Sequence, residues 1–246
     1  MPDVLVLCYH AISERFPAAL SVTPGAFERQ LGLLKRAGYR GVTFAEAMQV
    51  SAGRVVAVTF DDAFLSVVER AKPLLDSVDY PATVYAPTAY LDTPQRPLEW
   101  EGIDQWHGGE HEHELLPMSW DQLGELAEVG WEIGSHTCTH PHLHQVRDDA
   151  QLRAELVDSK QTVEERIGRD CTTLAYPYGD YDERVVAAAG AAGYAAAGTL
   201  PARLHHARPL AWPRVGIYHS DDERRFRLKV SRVMRRLRGS RLWPTG

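Results

Sequence analysis

Strand-like and helical patterns alternate along nearly the whole chain, and no other feature of the sequence constrains its fold as strongly. Short apolar runs typical of buried strands are followed by stretches in which apolar residues recur at helical spacing. Strands are predicted at residues 4–9, 41–44, 55–60, 82–86, 131–134, 173–176, 194–198 and 210–217, and helices at 24–37, 45–51, 63–78, 119–129, 151–167 and 182–192. Repeated strand-then-helix order favours a mainly parallel sheet covered by helices. With about eight strands, an α/β fold of the closed or distorted (β/α) barrel type is favoured over an open doubly wound sheet.

A single domain spanning residues 1–246 accounts for the length of the chain. Its 246 residues, of which 44% are hydrophobic, can bury a full core without a second domain. One stretch, residues 92–118, is polar and lacks periodicity, which predicts a loop insertion that is either functional or disordered. Closely spaced histidines in such a loop are more often solvated than metal-binding; here they are His107, His111 and His113.

The C-terminal segment, residues 224–246, is strongly basic. Nine of the 27 basic residues of the chain lie between Arg224 and Arg241, an interval without acidic residues. Such a segment could contact an anionic membrane surface or an acidic partner. Docking of a solvated helical face on the acidic body of the protein is the favoured interpretation, because apolar residues recur in the segment at partly helical spacing. We expect no nucleic-acid binding.

The sequence contains no recognisable secretion or membrane-insertion signal. The apolar run near the N-terminus lacks a basic flank and a small-residue cleavage site. No stretch approaches the roughly 18 apolar residues of a membrane span. The three cysteines, Cys8, Cys138 and Cys171, are an odd number at unrelated spacings, which is typical of reduced thiols. The sequence therefore predicts a cytoplasmic protein and leaves its oligomeric state open.

Two adjacent carboxylates follow a strongly apolar strand. Residues 54–60 form a predicted buried strand that delivers Asp61 and Asp62 to its C-terminal end, the edge at which sites form in α/β sheets and barrels. Because adjacent residues leaving a strand diverge, one carboxylate can coordinate a metal ion while its neighbour faces substrate. Taken alone, the pair is explained equally well by a helix N-cap.

Two histidines follow another strand. His136 and His140 come after residues 131–134 and lie four residues apart, a spacing that places both imidazoles on one face of a helical turn. In that arrangement they can bind one ion. Together with a strand-end aspartate they provide the two histidines and the carboxylate of an open catalytic metal site, whereas a structural zinc would take a fourth protein ligand.

A third strand ends in a turn rich in aromatic residues. The turn breaks the strand at Pro177 and Gly179. Aromatic faces suit pyranose rings, so the tyrosines here could line a sugar pocket, although they are also ordinary wall residues. The predicted substrate-binding residues are Tyr176, Pro177, Tyr178 and Trp212.

The order of these motifs along the chain is itself informative. In sequence they are Cys8-Tyr9-His10, Thr59-Phe-Asp61-Asp62, His136-Thr-x-x-His140-Pro and Tyr176-Pro177-Tyr178-Gly179. This succession resembles the polysaccharide deacetylases of carbohydrate esterase family 4, which contain the NodB homology domain, and the resemblance extends from about residue 4 to residue 217. It implies a distorted (β/α) barrel with Asp61 as general base. It also implies one divalent metal ion, zinc in the first place, bound by Asp62, His136 and His140.

Three positions depart from the pattern of that family. Ala63 stands where a glycine usually follows the aspartate pair, a change that should keep the turn. Ala175 replaces the arginine that typically orients the base, and Arg214 is the candidate that takes over this role. The late motif that supplies a general acid is out of register at His219, so His10 at the end of the first strand is an equally good candidate for the acid.

Metal-dependent hydrolysis of an N-acetyl group on an amino sugar is the function that these residues predict. A metal ion in an open site can acidify a water and polarise the acetamide oxygen. A carboxylate can then accept the proton of the water, and an imidazole can protonate the leaving amine. The amino sugar is left open as free, lipid-linked, nucleotide-linked or part of a glycan. Two alternatives remain: an O-acetyl esterase or other amidohydrolase on the same scaffold, and a carbohydrate-binding relic without activity.

Overall fold

The computed structural model describes residues 2–201, 204 and 207–240. Its strands are β1 (Asp3–Tyr9), β2 (Ala11–Ile12), β3 (Ser21–Val22), β4 (Arg40–Val42), β5 (Arg54–Phe60), β6 (Thr83–Ala86), β7 (Glu132–Ser135), β8 (Thr173–Ala175), β9 (Ala196–Thr199), β10 (Trp212–Pro213) and β11 (Val215–Gly216). Its helices are α1 (Pro24–Arg36), α2 (Phe44–Gln49), α3 (Lys72–Asp76), α4 (Trp120–Glu128), α5 (Asp149–Ile167), α6 (Glu183–Ala191), α7 (Glu223–Val230) and α8 (Arg232–Arg238). Among these described helices, none has the length and apolar character needed to cross a membrane. The expected cytoplasmic location stays a prediction.

Within the described ranges, eight parallel strands form the wall of a nearly closed barrel. Their order is β10-β9-β8-β7-β6-β5-β1-β11, and β4 pairs with the beginning of β5. The two ends of the sheet meet at residues 212–216, where β10 pairs with β9, β11 pairs with β1, and Arg214 lies between them. The (β/α) barrel expected from the sequence is confirmed. One strand is predicted at residues 210–217, and the structure has two short ones because the chain changes its pairing partner at Arg214.

Side-chain alternation separates the interior of the barrel from the shell beneath the helices. In β5, Val55 and Ala57 belong to the interior cluster, whereas Val56 and Val58 belong to the larger core that the helices cover. Each fully buried aliphatic side chain of this kind contributes about 1.5–3 kcal/mol. Because a strand alternates faces with a period of two, Asp61 continues the inward row just past the end of β5.

Helices α7 and α8 pack the basic C-terminal segment on the barrel. Phe226 is fully buried, and Arg235 on α8 donates a 2.6 Å hydrogen bond to Asp3 at the start of β1. Burial by itself would raise the pKa of Asp3, but the hydrogen bond and charge of Arg235 lower it. The segment is therefore anchored through Phe226 and Arg235, whereas its other apolar side chains at Leu228, Val233 and Leu237 are exposed. Residues 241–246 lie outside the described ranges. Contact with an anionic membrane or an acidic partner stays a prediction.

The segment at residues 92–118 is a loop packed on the barrel, with short 3-10 turns at Asp104–Trp106 and Glu112–Leu115. Leu98 is fully buried, and the buried carboxylate of Glu114 accepts a 3.0 Å hydrogen bond from Arg70. Among the described residues, the groups of three or more side chains placed to hold a metal ion do not include His107, His111 or His113.

Candidate active site

The end of β5 brings both aspartates into the mouth of the barrel. Asp61 and Asp62 are buried, and neither caps a helix, since the next helical residue is Leu65. Asp62 and Ala63 have φ angles of 70° and 53°, a left-handed conformation that costs a non-glycine residue roughly 1–2 kcal/mol. The positive φ of Ala63 explains why the resembled family has glycine there. The turn is kept, and it sends the two carboxylates to different neighbours.

Asp62, His136 and His140 converge on one point. The Nε2 atoms of the two histidines each lie 3.3 Å from Asp62 Oδ1, and the ligand atoms of the three buried side chains lie within 4.8 Å of one another. Asp62 Oδ1 has no hydrogen-bond partner among the residues that the structure describes, and a buried acceptor without a partner costs about 1–3 kcal/mol. A divalent cation between the three atoms would satisfy this oxygen. Two imidazoles and a carboxylate form a donor set that suits zinc.

The backbone conformation between the two histidines differs from the one expected from the sequence. Their spacing predicts a helical turn, but Thr137 and His140 have φ angles of 66° and 60°, so the chain here is not helical and that expectation is wrong. Glu155 on α5 holds the turn by accepting hydrogen bonds of 2.8 and 2.9 Å from two of its backbone amides. The rings of His136 and His140 then lie 4.8 Å apart at an interplanar angle of 71°.

The neighbouring strand orients His136. Its Nδ1 lies 2.8 Å from the carbonyl oxygen of Ala175 at the end of β8, and when Nδ1–H donates to that oxygen, the lone pair of Nε2 faces Asp62. Burial by itself would raise the pKa of Asp62, but the adjacent imidazoles of His136 and His140 keep it well below its usual range. Asp62 is therefore ionised at neutral pH, as a metal ligand must be.

Aromatic rings enclose His140. Trp100 stacks on it at a centroid distance of 4.2 Å, and Tyr178 contacts it edge-on at 4.7 Å. The Tyr178 hydroxyl donates a 3.2 Å hydrogen bond to the carbonyl oxygen of Glu101, so the 92–118 loop forms one wall of the site. Burial lowers the pKa of His140, which favours the neutral imidazole that binds a metal. No sequence pattern predicts the Trp100 contact, since the loop lacks periodicity.

A buried arginine from the closing segment of the barrel holds Asp61. Arg214 Nη1 and Nη2 donate hydrogen bonds of 2.6 and 2.7 Å to Asp61 Oδ1 and Oδ2, and Nη1 also donates to Thr59 Oγ1 at 3.0 Å. Burial by itself would raise the pKa of Asp61, but the charge of Arg214 brings it to about 2. Gly198 leaves room for the guanidinium, because a Cβ there would lie 2.6 Å from Arg214 Nε. The sequence candidate for orienting the base is thus in contact with it.

The two candidate acids are in different places. His10 follows β1 and groups with Cys8 and Asp61, their ligand atoms lying within 4.8 Å of one another. His10 Nδ1 is buried and has no hydrogen-bond partner in the described part of the chain. His219 is exposed, and its backbone amide donates to the carbonyl oxygen of Ala19. The structure therefore places an imidazole beside Asp61 from β1, and the out-of-register motif leaves His219 on the surface.

Only one of the four predicted substrate-binding residues lines the site. Tyr178 is partly exposed and lies against His140. Tyr176 is fully buried, and its hydroxyl donates to the carbonyl oxygen of Leu210 at 2.9 Å; Pro177 is buried as well. Trp212 packs against the interior cluster at the amino-terminal side of Arg214. Tyr176 and Pro177 are therefore packing residues, and Trp212 is a partly exposed residue that packs on the interior cluster.

Comparisons with known proteins agree with this geometry. The family profile described as polysaccharide deacetylase matches residues 49–197. YxkH of Bacillus subtilis (strain 168), whose name assigns it to the polysaccharide deacetylases, is 28% identical over 195 residues, which cover 77% of this chain and 61% of YxkH. The poly-beta-1,6-N-acetyl-D-glucosamine N-deacetylase of Staphylococcus aureus (strain MRSA252) is 26% identical over 172 residues, which cover 65% of this chain and 54% of that protein. This chain thus spans less than two thirds of the length of these two relatives.

A solved structure covers more of the chain. The Streptococcus pyogenes deacetylase PplD in complex with acetate superposes with a TM-score of 0.77 and 25% sequence identity. The match covers 93% of this chain and 98% of that one. The structural similarity therefore extends over nearly the whole chain.

Proposed function

This chain belongs to the polysaccharide deacetylase family, and from that premise we propose that it is a metal-dependent hydrolase that removes an N-acetyl group from an amino sugar. The proposal rests on the buried group of Asp62, His136 and His140, in which one carboxylate oxygen faces two imidazole nitrogens at 3.3 Å. A second carboxylate, Asp61, lies beside this group and is held separately by Arg214. Metal-assisted amide hydrolysis uses this combination of an ion site and an independent base.

The residues of the chain divide the reaction between them. When bound, a divalent ion of the zinc type acidifies a water and polarises the acetyl carbonyl. Asp62, His136 and His140 would hold that ion and leave positions open for water and substrate. Asp61 accepts a proton from the water through Oδ1, because that oxygen keeps one lone pair after accepting a single N–H from Arg214. Its other oxygen, Oδ2, accepts hydrogen bonds from both Arg214 and the Cys8 thiol. The two parallel hydrogen bonds also prevent the carboxylate from rotating away from the water.

Proton delivery to the leaving amine is assigned to His10. Without it, the tetrahedral intermediate would mostly expel the water oxygen and revert, because an amine leaves poorly unless protonated. The support is positional: His10 and Asp61 lie in one group at the mouth of the barrel. Asp61 and His10 then act as a base and an acid on one bound substrate.

The substrate class follows from the wall of the site and from the relatives. Trp100 and Tyr178 present aromatic rings next to His140, and such rings pack well on pyranose faces. The activity named for the Staphylococcus aureus relative makes a β-1,6-linked N-acetylglucosamine oligomer the first substrate to test.

Removal of the metal ligands tests the proposal. Zinc-loaded protein should release acetate from the oligomer and expose an equal amount of free amine. The His136→Ala/His140→Ala variant should lose one bound ion per chain and essentially all turnover, because a single carboxylate cannot hold the ion. His113→Ala is the matched control, since that imidazole is 62% exposed and outside the group. Full turnover in the double variant would show that the site is assigned wrongly.

The bond that is cleaved distinguishes the N-acetyl proposal from its alternatives. The same preparation is offered an O-acetylated sugar with no N-acetyl group, and acetate is measured again. Acetate release from the O-acetylated sugar, with none from the N-acetylated oligomer, would indicate an O-acetyl esterase. Sugar binding without release of acetate from either substrate would indicate a binding protein.

The acid is tested by a pair of histidine variants. We expect His10→Ala to lower kcat by about 10²-fold or more, the usual loss for a positioned acid, and His219→Ala to leave it unchanged because the side chain is exposed. The loss of kcat in His10→Ala should be large on an amide and small on an ester with a good leaving group, since only the leaving amine needs protonation. An equal rate for wild type and His10→Ala on the amide would remove His10 from the chemistry.

A further inference from the structure

A second group of metal-ligand side chains lies beside the candidate active site and has no role in the proposed reaction. His142 and His144 lie at the 3-10 turn Leu143–Gln145, and Asp180 follows the 3-10 turn Pro177–Gly179. The ligand atoms of the three side chains lie within 4.8 Å of one another. The two loops therefore bring together two imidazoles and a carboxylate that are distant in sequence.

Asp180 Oδ2 is the shared atom of this group. It lies 3.0 Å from His142 Nδ1 and 4.0 Å from His144 Nδ1. Two ligands of one tetrahedral zinc ion lie about 3.3 Å apart, between these two distances. His144 Nδ1 is buried and, within residues 2–201, 204 and 207–240, has no hydrogen-bond partner. An ion pair between His142 and Asp180 alone would leave that buried nitrogen unexplained, whereas a shared cation would use all three side chains.

Exposure and donor type indicate which ion the group suits. The side chains of His142, His144 and Asp180 are 23%, 37% and 46% exposed, so water can reach an ion here and complete its coordination. Two imidazoles and a carboxylate favour zinc, nickel or copper over magnesium and calcium, which prefer oxygen ligands. We propose that His142, His144 and Asp180 form a second, exchangeable binding site for a divalent transition metal ion of the zinc type.

Tyr178 connects the second site with the first. Its ring stacks on His142 at a centroid distance of 3.7 Å and an interplanar angle of 10°, and it contacts His140 edge-on at 4.7 Å. An ion that fixes His142 therefore also restricts a wall residue of the active site. This inference goes beyond the proposed function and is tested without substrate.

Calorimetric titration of the metal-free protein with Zn²⁺ tests the second site. The wild type should bind two ions per chain, the second more weakly, and the His136→Ala/His140→Ala variant should retain one. Adding His144→Ala or Asp180→Asn to that variant should weaken the remaining ion at least about tenfold. Adding His113→Ala should not, since that side chain lies outside both groups. Circular dichroism checks that each variant is folded.

A measurement on the wild type does not depend on the folding of any variant. Zn²⁺ added beyond one equivalent should shift the imidazole NMR signals of His142 and His144. The proposal is overturned if these signals stay unchanged, or if the wild type binds a single ion. Equal affinity in the His144→Ala, Asp180→Asn and control variants would also overturn it.

Discussion

Replacing Asp61 with asparagine is expected to lower turnover by about 10²- to 10⁴-fold, the usual loss when a positioned general base is removed. Metal content should stay unchanged, because Asp62 and its two histidines are not altered. The same change leaves Arg214 charged, buried and without its carboxylate, and breaking a buried ion pair costs about 3–5 kcal/mol. Asp61→Asn should therefore also lower the free energy of unfolding. Acetate release, metal analysis and urea unfolding measure the three quantities.

The double variant Asp61→Asn/Arg214→Met separates the two effects. It removes both charges, so it should regain much of the lost stability while turnover stays low. Wild-type turnover in Asp61→Asn would mean that another group is the base. Glu132 faces the same interior, but its carboxylate accepts hydrogen bonds of 2.8 Å from Thr83 Oγ1 and 2.9 Å from the backbone amide of Ala45. The Glu132 carboxylate is therefore already hydrogen-bonded at the amino-terminal end of β7, the end opposite His136.

Substitution of Arg214 is expected to lower turnover nearly as much as substitution of Asp61, although Arg214 does not touch substrate. Arg214→Lys keeps the charge but cannot make two parallel hydrogen bonds, so kcat should fall by about 10²-fold through misplacement of the base. Arg214→Met also leaves the buried carboxylate of Asp61 unpaired, and the free energy of unfolding should fall by about 3–5 kcal/mol. Rates and urea unfolding of both variants check these expectations.

The pH profile shows whether Arg214 positions and ionises the base or only stabilises the fold. In the wild type, the pKa of Asp61 is about 2, so Asp61 stays ionised and its protonation does not limit the rate near neutral pH. In Arg214→Met the largest contribution that offsets burial is lost, and only the smaller contributions of His136 and His10 remain. The pKa of Asp61 should therefore rise toward or above its usual value of about 3.9. kcat/KM should then decline with falling pH over a range in which the wild type is flat. A profile with an unchanged acidic limb would argue for a purely structural role.

A surface arginine provides the matched control. Arg208 forms an ion pair with Glu183 at 2.8 Å, and both side chains are at least half exposed. Arg208→Met should leave turnover, the pH profile and stability essentially unchanged, because exposed pairs contribute little. A comparable loss in this variant would mean that the effects at Arg214 do not come from the buried pair.

Much of the metal group follows from the sequence. Asp62 is the second residue after β5, and His136 directly follows β7. Parallel strands place their carboxyl ends at the same edge of a barrel. The order of the motifs therefore predicts that an aspartate and a histidine lie close together. The period of two along β5 likewise predicts that Asp61 points inward.

The surroundings of that group were decided by tertiary structure. Asp61 and Arg214 are 153 positions apart, and they meet because the sheet closes at residues 212–216. The same closure turns Trp212 into the interior. Loop packing, which has no period, brings Trp100 to His140 and His142 to Asp180. Periodicity determines which face of its own strand a side chain occupies. The distance between side chains on different strands or loops is set only when the barrel closes and its loops pack.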